Sequence, residues 1–441
     1  MKLQDHPTVT QIRRRPPEVA PRLDAAALRQ ACLAAGADDV GFVSVDRPEL
    51  EVDRNDIRLA MPTARTLVAF VKRMNPDSIR APFRSIANLE FHHAGDETNE
   101  VARRIVDVLR QQGGRALNPA MGFPMEMDRF PAKIWVISHK RVAEAAGLGK
   151  MGIHRNIIHP RFGNFILLGT VVTDLELPVE SQPIDYNPCL ECKLCVAACP
   201  VGAIKADGAF DFSACYTHNY REFMGGFTDW VDKIADARSR HQYRASVDDT
   251  ESASMWQSLS FGANYKAAYC MAVCPAGEDL ISPFLENRRD FVQDVVRPLQ
   301  QQEERVYVVP GSDAQAHVER RFPHKTVRRV GNGLRPRSIE GFAAGLPLIF
   351  QPAQSEGIAA RYHFLFRGDE TAELTIDIRD QQLTVQRGLV GNADVIIAAD
   401  SATWLGFLGG SKSLIWAVLS RRIRIRGRIP LIRDFARCFP S

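Results

Sequence analysis

Cys189-Leu-Glu-Cys192-Lys-Leu-Cys195-Val-Ala-Ala-Cys199-Pro200 is the stretch on which the reading of this chain turns. Four cysteines at x2, x2 and x3 spacing, ending in Cys-Pro, form the run that holds iron–sulfur clusters in pairs: three ligate one cube and the fourth reaches the other. Zinc ligands would come instead as two separated pairs. A second, broken pattern follows as Cys215 and then Cys270-x3-Cys274-Pro275. Cys189, Cys192, Cys195 and Cys274 are thus expected on one cluster, and Cys199, Cys215 and Cys270 on the other.

The second set is short of a ligand. A complete motif would carry cysteine at 267, where the chain has Ala267. Three thiolates suit a 3Fe–4S cluster, or a 4Fe–4S cluster whose odd iron takes another ligand such as His218. The remaining reading is that the second motif binds nothing. Of the nine cysteines, only Cys32 and Cys438 stand outside the pattern.

Working outward, residues 24–180 alternate helix and strand. Asp24 caps a helix through Ala35 that Gly36 closes. Val40–Val45, Thr66–Val71, Lys133–Ser138 and Phe165–Thr173 read as strands, and Glu97–Gln112 as a helix stopped by Gly113-Gly114. Residues 286–337 have no apolar repeat for a core of their own and read as a connector. From Ser338 the pattern becomes strands at Tyr362–Arg367, Glu370–Arg379, Gln382–Arg387 and Val395–Ala399, then a helix from Ala402. Ile423 and Ile425 alternate with arginines in an edge-like strand. Arg421–Arg428 is then a charge-protected edge, or a contact for an anionic headgroup.

A net charge of +4 is too small to argue for nucleic acid, and no apolar run approaches the roughly 20 residues that cross a bilayer. Arg13, Arg14 and Arg15 are followed by Pro16 and Pro17 rather than an apolar stretch, so no export signal is expected. With cysteines committed to metal, the expected compartment is the cytoplasm.

Residues 144–178, EAAGLGKMGIHRNIIHPRFGNFILLGTVVTDLELP, lead directly into the cysteine run. Over about residues 25–285 the chain resembles the cobalamin-dependent epoxyqueuosine reductase and reductive dehalogenase superfamily, which keeps these motifs in this order. The resemblance implies an α/β nitroreductase-like, cobalamin-binding domain over 1–180 with an inserted two-cluster ferredoxin-like module over 181–285. It also implies base-off cobalamin reduced by the clusters to nucleophilic Co(I). Gly147, Gly149 and Gly152 would let the backbone approach the macrocycle, or would serve as turn and packing glycines. His154 would touch the corrin or sit on the surface. Lys133 falls at the position of the family's catalytic aspartate and is the expected acid or charge stabiliser, or else a strand end in water. His92, His93, His139 and Lys140 are lesser candidates.

Residues 338–441 follow the connector. RGLVGNADVIIAADSATWLGFLGG, RRIRIRGR and PLIRDF are similar to sterol-carrier-protein-type lipid-binding domains, small α+β folds around an apolar tunnel. Trp404, Leu405, Leu408, Leu414 and Trp416 would be core or tunnel lining. Epoxyqueuosine reductases carry transfer-RNA-binding helical repeats at this point, so that substrate is not expected and no nucleic acid partner is. The expectation is an iron–sulfur reductase, cobalamin-dependent, acting on an apolar or halogenated organic molecule. An external ferredoxin or flavodoxin would feed it, since no flavin or nicotinamide site is visible. An electron carrier coupled to a lipid module, a protein that reduces cobalamin for another enzyme, and peripheral docking at a membrane are the alternatives.

Overall fold

The computed structural model describes residues 2–14, 24–177 and 181–440. Arg15, Pro16 and Pro17, Pro178 and the expected boundary at 180 lie outside them. The first sheet is built from β1 (Asp39–Ser44), β2 (Thr66–Arg73), β3 (Ala116–Leu117) and, after a two-residue hairpin of β4 (Lys150–Met151) and β5 (Ile157–Ile158), β6 (Ile166–Thr173). Its order is β1-β2-β6-β3 and every pairing is antiparallel.

β2 is central, and Leu67 through Val71 are all buried. Leu67, Ala69 and Val71 pack toward Ile57, Val142 and Ala146 on one face. Val68 and Phe70 pack toward Leu28, Cys32, Ile105 and Leu109 on the other. A continuous apolar run is what a strand covered on both faces requires. Phe70 lies across Gly169, where a Cβ would come within 2.1 Å of the ring. Asp24 caps helix Ala25–Ala34 by accepting from Ala27 N at 2.7 Å.

The expected strand Lys133–Ser138 does not form. Residues 118–138 are largely irregular, and two-residue β3 takes the edge beside β6. Helix Arg84–Gln111 begins thirteen residues before its expected start at Glu97. It buries Ala87, Ala94, Gly95 and Thr98 there, small residues that give no hydrophobic stripe.

Residues 286–337 are more than a connector. β7 (Arg305–Val308) and β8 (Thr326–Arg329) pair in parallel around helix Asp313–Arg321. Val306, Val308, Val318 and Phe322 share one core with Cys195, Cys199 and Ala214. The stretch makes no core of its own because it completes that of the cysteine module.

The last domain starts where Ser338 caps helix Ile339–Ile349. β9 (Ala360–Arg367), β10 (Ala372–Arg379) and β11 (Gln382–Arg387) make a meander. β12 (Val395–Asp400) lies parallel to β9, and β13 (Ile423–Gly427) closes the edge against β12. Ile423 points inward while Arg424 and Arg426 are exposed, the pattern of a charge-protected edge. The helix-covered face is filled with rings: Trp404 stands 5.6 Å from Phe342, 5.4 Å from Phe364 and 6.0 Å from Phe366. Trp416, expected inside, is 72% exposed. The domain is tied to the rest through Asp313, whose N donates to Gln351 Oε1 and whose carboxylate accepts from Ala353 N. Helix Ile339–Ile349 rests beside Phe212–Asn219, the helix that carries Cys215.

Candidate redox centre and its neighbours

Chain geometry repeats itself around the two cysteine motifs. Lys193, between Cys192 and Cys195, has φ 63°; Ala268, between Ala267 and Cys270, has φ 56°. A short helix starts immediately after each, Leu194–Ala198 and Tyr269–Ala272. Ala267 therefore occupies the second loop's counterpart of Cys192. Asn219 Oδ1 holds that loop by accepting from the N–H groups of Ala267 and Ala268 at 3.0 and 3.1 Å.

None of the seven motif cysteines is in a disulfide. The thiols bear on one another within and across the two expected sets: Cys274 feels Cys192, Cys189 and Cys270, Cys195 feels Cys270 as well as Cys274, and Cys215 feels Cys270 and Cys199. Burial first, then neighbouring thiols, pushes Cys270 and Cys274 up to about 12. Such thiols are inert until a metal deprotonates them. Cys199 Sγ accepts from Ala203 N at 3.3 Å, and Asn156 Nδ2 lies 4.0 Å from Cys270 Sγ. Among the described residues no three His, Cys, Asp or Glu side chains close on a single ion.

His218 is buried; its Nδ1 accepts from Tyr307 N at 3.3 Å, and its Nε2 has no hydrogen-bond partner. Burial, then Lys266 and Lys325, lowers it to about 3.

Lys133 is locked in an ion cluster. Its Nζ sits 2.7 Å from Asp53 Oδ1 and 2.7 Å from Asp56 Oδ2. Arg141 pairs with fully buried Asp53, and Arg129 with Asp56. Burial would raise the Asp56 carboxyl, but the bonds from Lys133 and Arg129 outweigh it and hold it below its usual value. Lys133 is neither a strand end nor a free acid; it pins the irregular segment to helix Glu51–Ala60.

The glycine turn is closed by the chain's own atoms. Gly147 has φ 74° after helix His139–Ala145, and a Cβ there would meet Gln182 O at 2.2 Å. A Cβ at Gly149 would meet Ile158 O at 2.5 Å, and one at Gly152 would meet Ile158 Cδ1 at 2.7 Å and the His154 ring at 3.0 Å. The chain's own atoms thus fill the space beside these glycines, as the packing reading requires. His154 is neither on the surface nor free. It is buried, its Nδ1 accepts from Asn156 N at 3.1 Å, and burial, with Lys140 nearby, lowers it to about 4. Its Nε2 lies 3.3 Å from the Asn164 Nδ2 amide nitrogen. Through Asn156 it helps position the residue beside Cys270.

Lys140 stands where Lys133 was expected to. Its Nζ donates to Arg155 O at 2.6 Å and lies 3.3 Å from Asn156 Oδ1, so one amide separates it from Cys270. Lys140 keeps solvent contact, yet protein atoms crowd round it. That desolvation holds its ammonium below the usual lysine value, against the opposing pull of Cys270 and Cys215. His139 is fixed by Thr170 Oγ1 at 2.9 Å and Ala120 O at 3.0 Å. His92 Nε2 reaches Ala263 O at 3.0 Å. For His93 the structure gives no role.

Sequence reasoning missed an aromatic train beside the second set. Phe91, Tyr265, Tyr220, Phe223 and Phe123 follow one another at centroid distances of 5.2, 5.7, 4.8 and 6.2 Å. Burial pushes the Tyr220 phenol well up, with Tyr265 and Cys215 adding to it. The train links the cysteines to segment 118–138, which presents Phe123, Met127 and Trp135 to solvent. No local signal marks Tyr220 or Tyr265, since segments far apart in sequence bring them together.

The fold and the two thiol sets define an iron–sulfur oxidoreductase core joined to a separate small domain. Residues 183–205 match the 4Fe-4S binding domain family, and residues 351–440 match the SCP-2 sterol transfer family. The epoxyqueuosine reductase of Cellulophaga algicola is 23% identical over 241 residues, 47% of this chain and 74% of its own length. That of Staphylococcus aureus is 26% identical over 227 residues, 44% of this chain and 57% of its own. Among solved structures, a catabolic reductive dehalogenase is similar over 62% of this chain and 34% of its own, at 16% identity and a TM-score of 0.38. The chain thus joins a core similar in sequence to epoxyqueuosine reductases to an SCP-2-type domain.

Proposed function

We propose that this protein is a cobalamin-dependent iron–sulfur reductase whose substrate is an apolar or halogenated organic molecule. The reading rests above all on one juxtaposition: Lys140 leads through Asn156 to Cys270, and Tyr220, on which Cys215 bears, leads through Phe223 to exposed Phe123 in segment 118–138. Iron–sulfur clusters fit the two thiol sets. A corrin would be held beside Cys270 by Lys140 and Asn156 rather than at the glycine turn, where the chain's own atoms pack. When bound, it would supply a strongly reducing nucleophilic metal fed by single electrons.

The chain's own residues then have separable roles. The seven cysteines hold the electron path, and Asn156 and His154 fix its nearest edge. Lys140 holds a proton at Nζ beside Asn156, and its lowered affinity makes it a better acid than an ordinary lysine. Phe123, Met127 and Trp135 exclude water and favour an apolar substrate. The SCP-2-type domain, resting against the helix of Cys215, would hold or hand over that substrate. We further infer a nitroreductase-like arrangement for the first domain and an external ferredoxin or flavodoxin as donor.

The test is anaerobic turnover with a low-potential artificial reductant, with and without hydroxocobalamin, on halogenated phenols. Corrin-dependent product is expected. Turnover with clusters alone, or none with any such substrate, rejects the reading.

A further inference from the structure

Arg80 and Arg84 sit at the corner between helices Pro76–Arg80 and Arg84–Gln111, and Pro76–Arg80 packs on Tyr269–Ala272, between Cys270 and Cys274. Arg80 stacks over Phe165 at 5.0 Å and Phe291 at 5.5 Å, and its Nε donates to Ala272 O at 3.3 Å. Its Nη2 is buried with no hydrogen-bond partner. Arg84 stacks over Tyr269, the neighbour of Cys270, at 5.4 Å. Its Nη1 and Nη2 reach only the carbonyls of Ala81 and Ile79, each at 3.5 Å, and its Nε is buried without a partner.

Two half-buried arginines, each with one buried N–H group that has no partner, are a costly pairing of features. Neither arginine makes a salt bridge among the described residues. Stacking on rings accounts for their flat faces but leaves edge and charge unanswered. Burial depresses both guanidinium groups. The partial compensation comes from Asp77 and then Cys274 at Arg80, and from Tyr269, Glu304 and Cys270 at Arg84. Each arginine thus answers to a cysteine of a different set.

We propose that Arg80 and Arg84 are the charge partners of the two clusters, one each. Arg80 serves the cluster of Cys189, Cys192, Cys195 and Cys274, and Arg84 serves that of Cys199, Cys215 and Cys270. Each raises the reduction potential of its own cluster. This rests on the reading that both thiol sets hold clusters. The step is the uptake of one electron from the reductant by a cluster, whose net charge becomes one unit more negative. The arginine stays protonated and forms no bond. A fixed positive charge with a free N–H in a low-dielectric site favours the reduced state. Placing Arg84 at the Tyr269 end and Arg80 at the Ala272 end of that helix lets the chain tune two adjacent potentials separately.

The test uses the full chain reconstituted anaerobically with iron and sulfide, analysed for both, and titrated with dithionite under paramagnetic resonance. Cys215→Ser identifies which signal belongs to the second set. Arg84→Gln is expected to lower the potential of that cluster by a tenfold change in its one-electron equilibrium, about 59 mV, and to leave the other in place. Arg80→Gln should do the reverse, and Arg80→Lys and Arg84→Lys should keep most of the wild-type values. Clusters lost in the Gln variants and retained in the Lys variants also support the charge role. Full cluster content at unchanged potentials overturns it, as does equal loss in Gln and Lys variants, which would make the arginines packing residues. A wild-type chain that takes up no iron sinks the cluster reading beneath it, a failure the iron analysis alone distinguishes.

Discussion

Lys133 and Lys140 lie seven residues apart and do opposite things. The region of Lys133 is a closed electrostatic knot: two carboxylates answer its ammonium, and Arg129 and Arg141 share them. The region of Lys140 is left open. Its ammonium meets a carbonyl and an amide, keeps solvent contact, and reaches Cys270 through Asn156. A lysine whose charge is fully answered holds structure together, and one whose charge is only half answered is available for chemistry.

The largest effect that would sharpen this contrast lies at the thiols. Cys270→Ser should remove the second cluster, lowering bound iron and sulfide while the first cluster's signal persists, and should abolish reductase turnover. Next comes Lys140→Met, expected to lower turnover by about 10²–10⁴-fold with the melting temperature nearly unchanged. A drop of less than threefold would break the comparison. Lys133→Met should show the inverse, losing about 1.5–3 kcal/mol in denaturant unfolding while keeping its clusters.

The pH profile separates the two regions further. Asp56 is held below its usual value, so the stability it contributes is present above the unfolded carboxyl value of about 3.9 and is lost as pH falls through the lower folded value. The stability difference between wild type and Lys133→Met should therefore shrink below about pH 4, read by unfolding at a series of acid pH values. The smallest expected effect is at the C-terminal edge, where Arg424→Gln should change stability by no more than about 0.5 kcal/mol.

Much of this was legible because spacing and chemistry coincide. The run from Cys189 to Cys199 encodes its ligand geometry locally, and the apolar run around Leu67–Val71 encodes a strand covered on both faces. The meander after Ala360 was legible for the same reason. Segment Lys133–Ser138 misled because KIWVIS alternates like a strand, while the pull of Asp53 and Asp56 on Lys133 is invisible in sequence. The start of helix Arg84–Gln111 was hidden by the small residues it buries. The glycine turn carried a family signal, yet Gln182, Ile158 and His154 fill the space its glycines leave. Asn156 leaves no mark in sequence and Lys140 only a faint one, because more than a hundred residues separate each from Cys270.

The most direct test is anaerobic reconstitution of the full chain with iron, sulfide and hydroxocobalamin, read by optical and paramagnetic resonance spectra. The account predicts two clusters and one stoichiometric corrin with a base-off cobalt(II) signal, its occupancy weakened by Trp135→Ala and Phe123→Ala and unaffected by Arg424→Gln. Clusters that assemble while no corrin stays bound would contradict it and leave an electron carrier joined to a lipid-type domain.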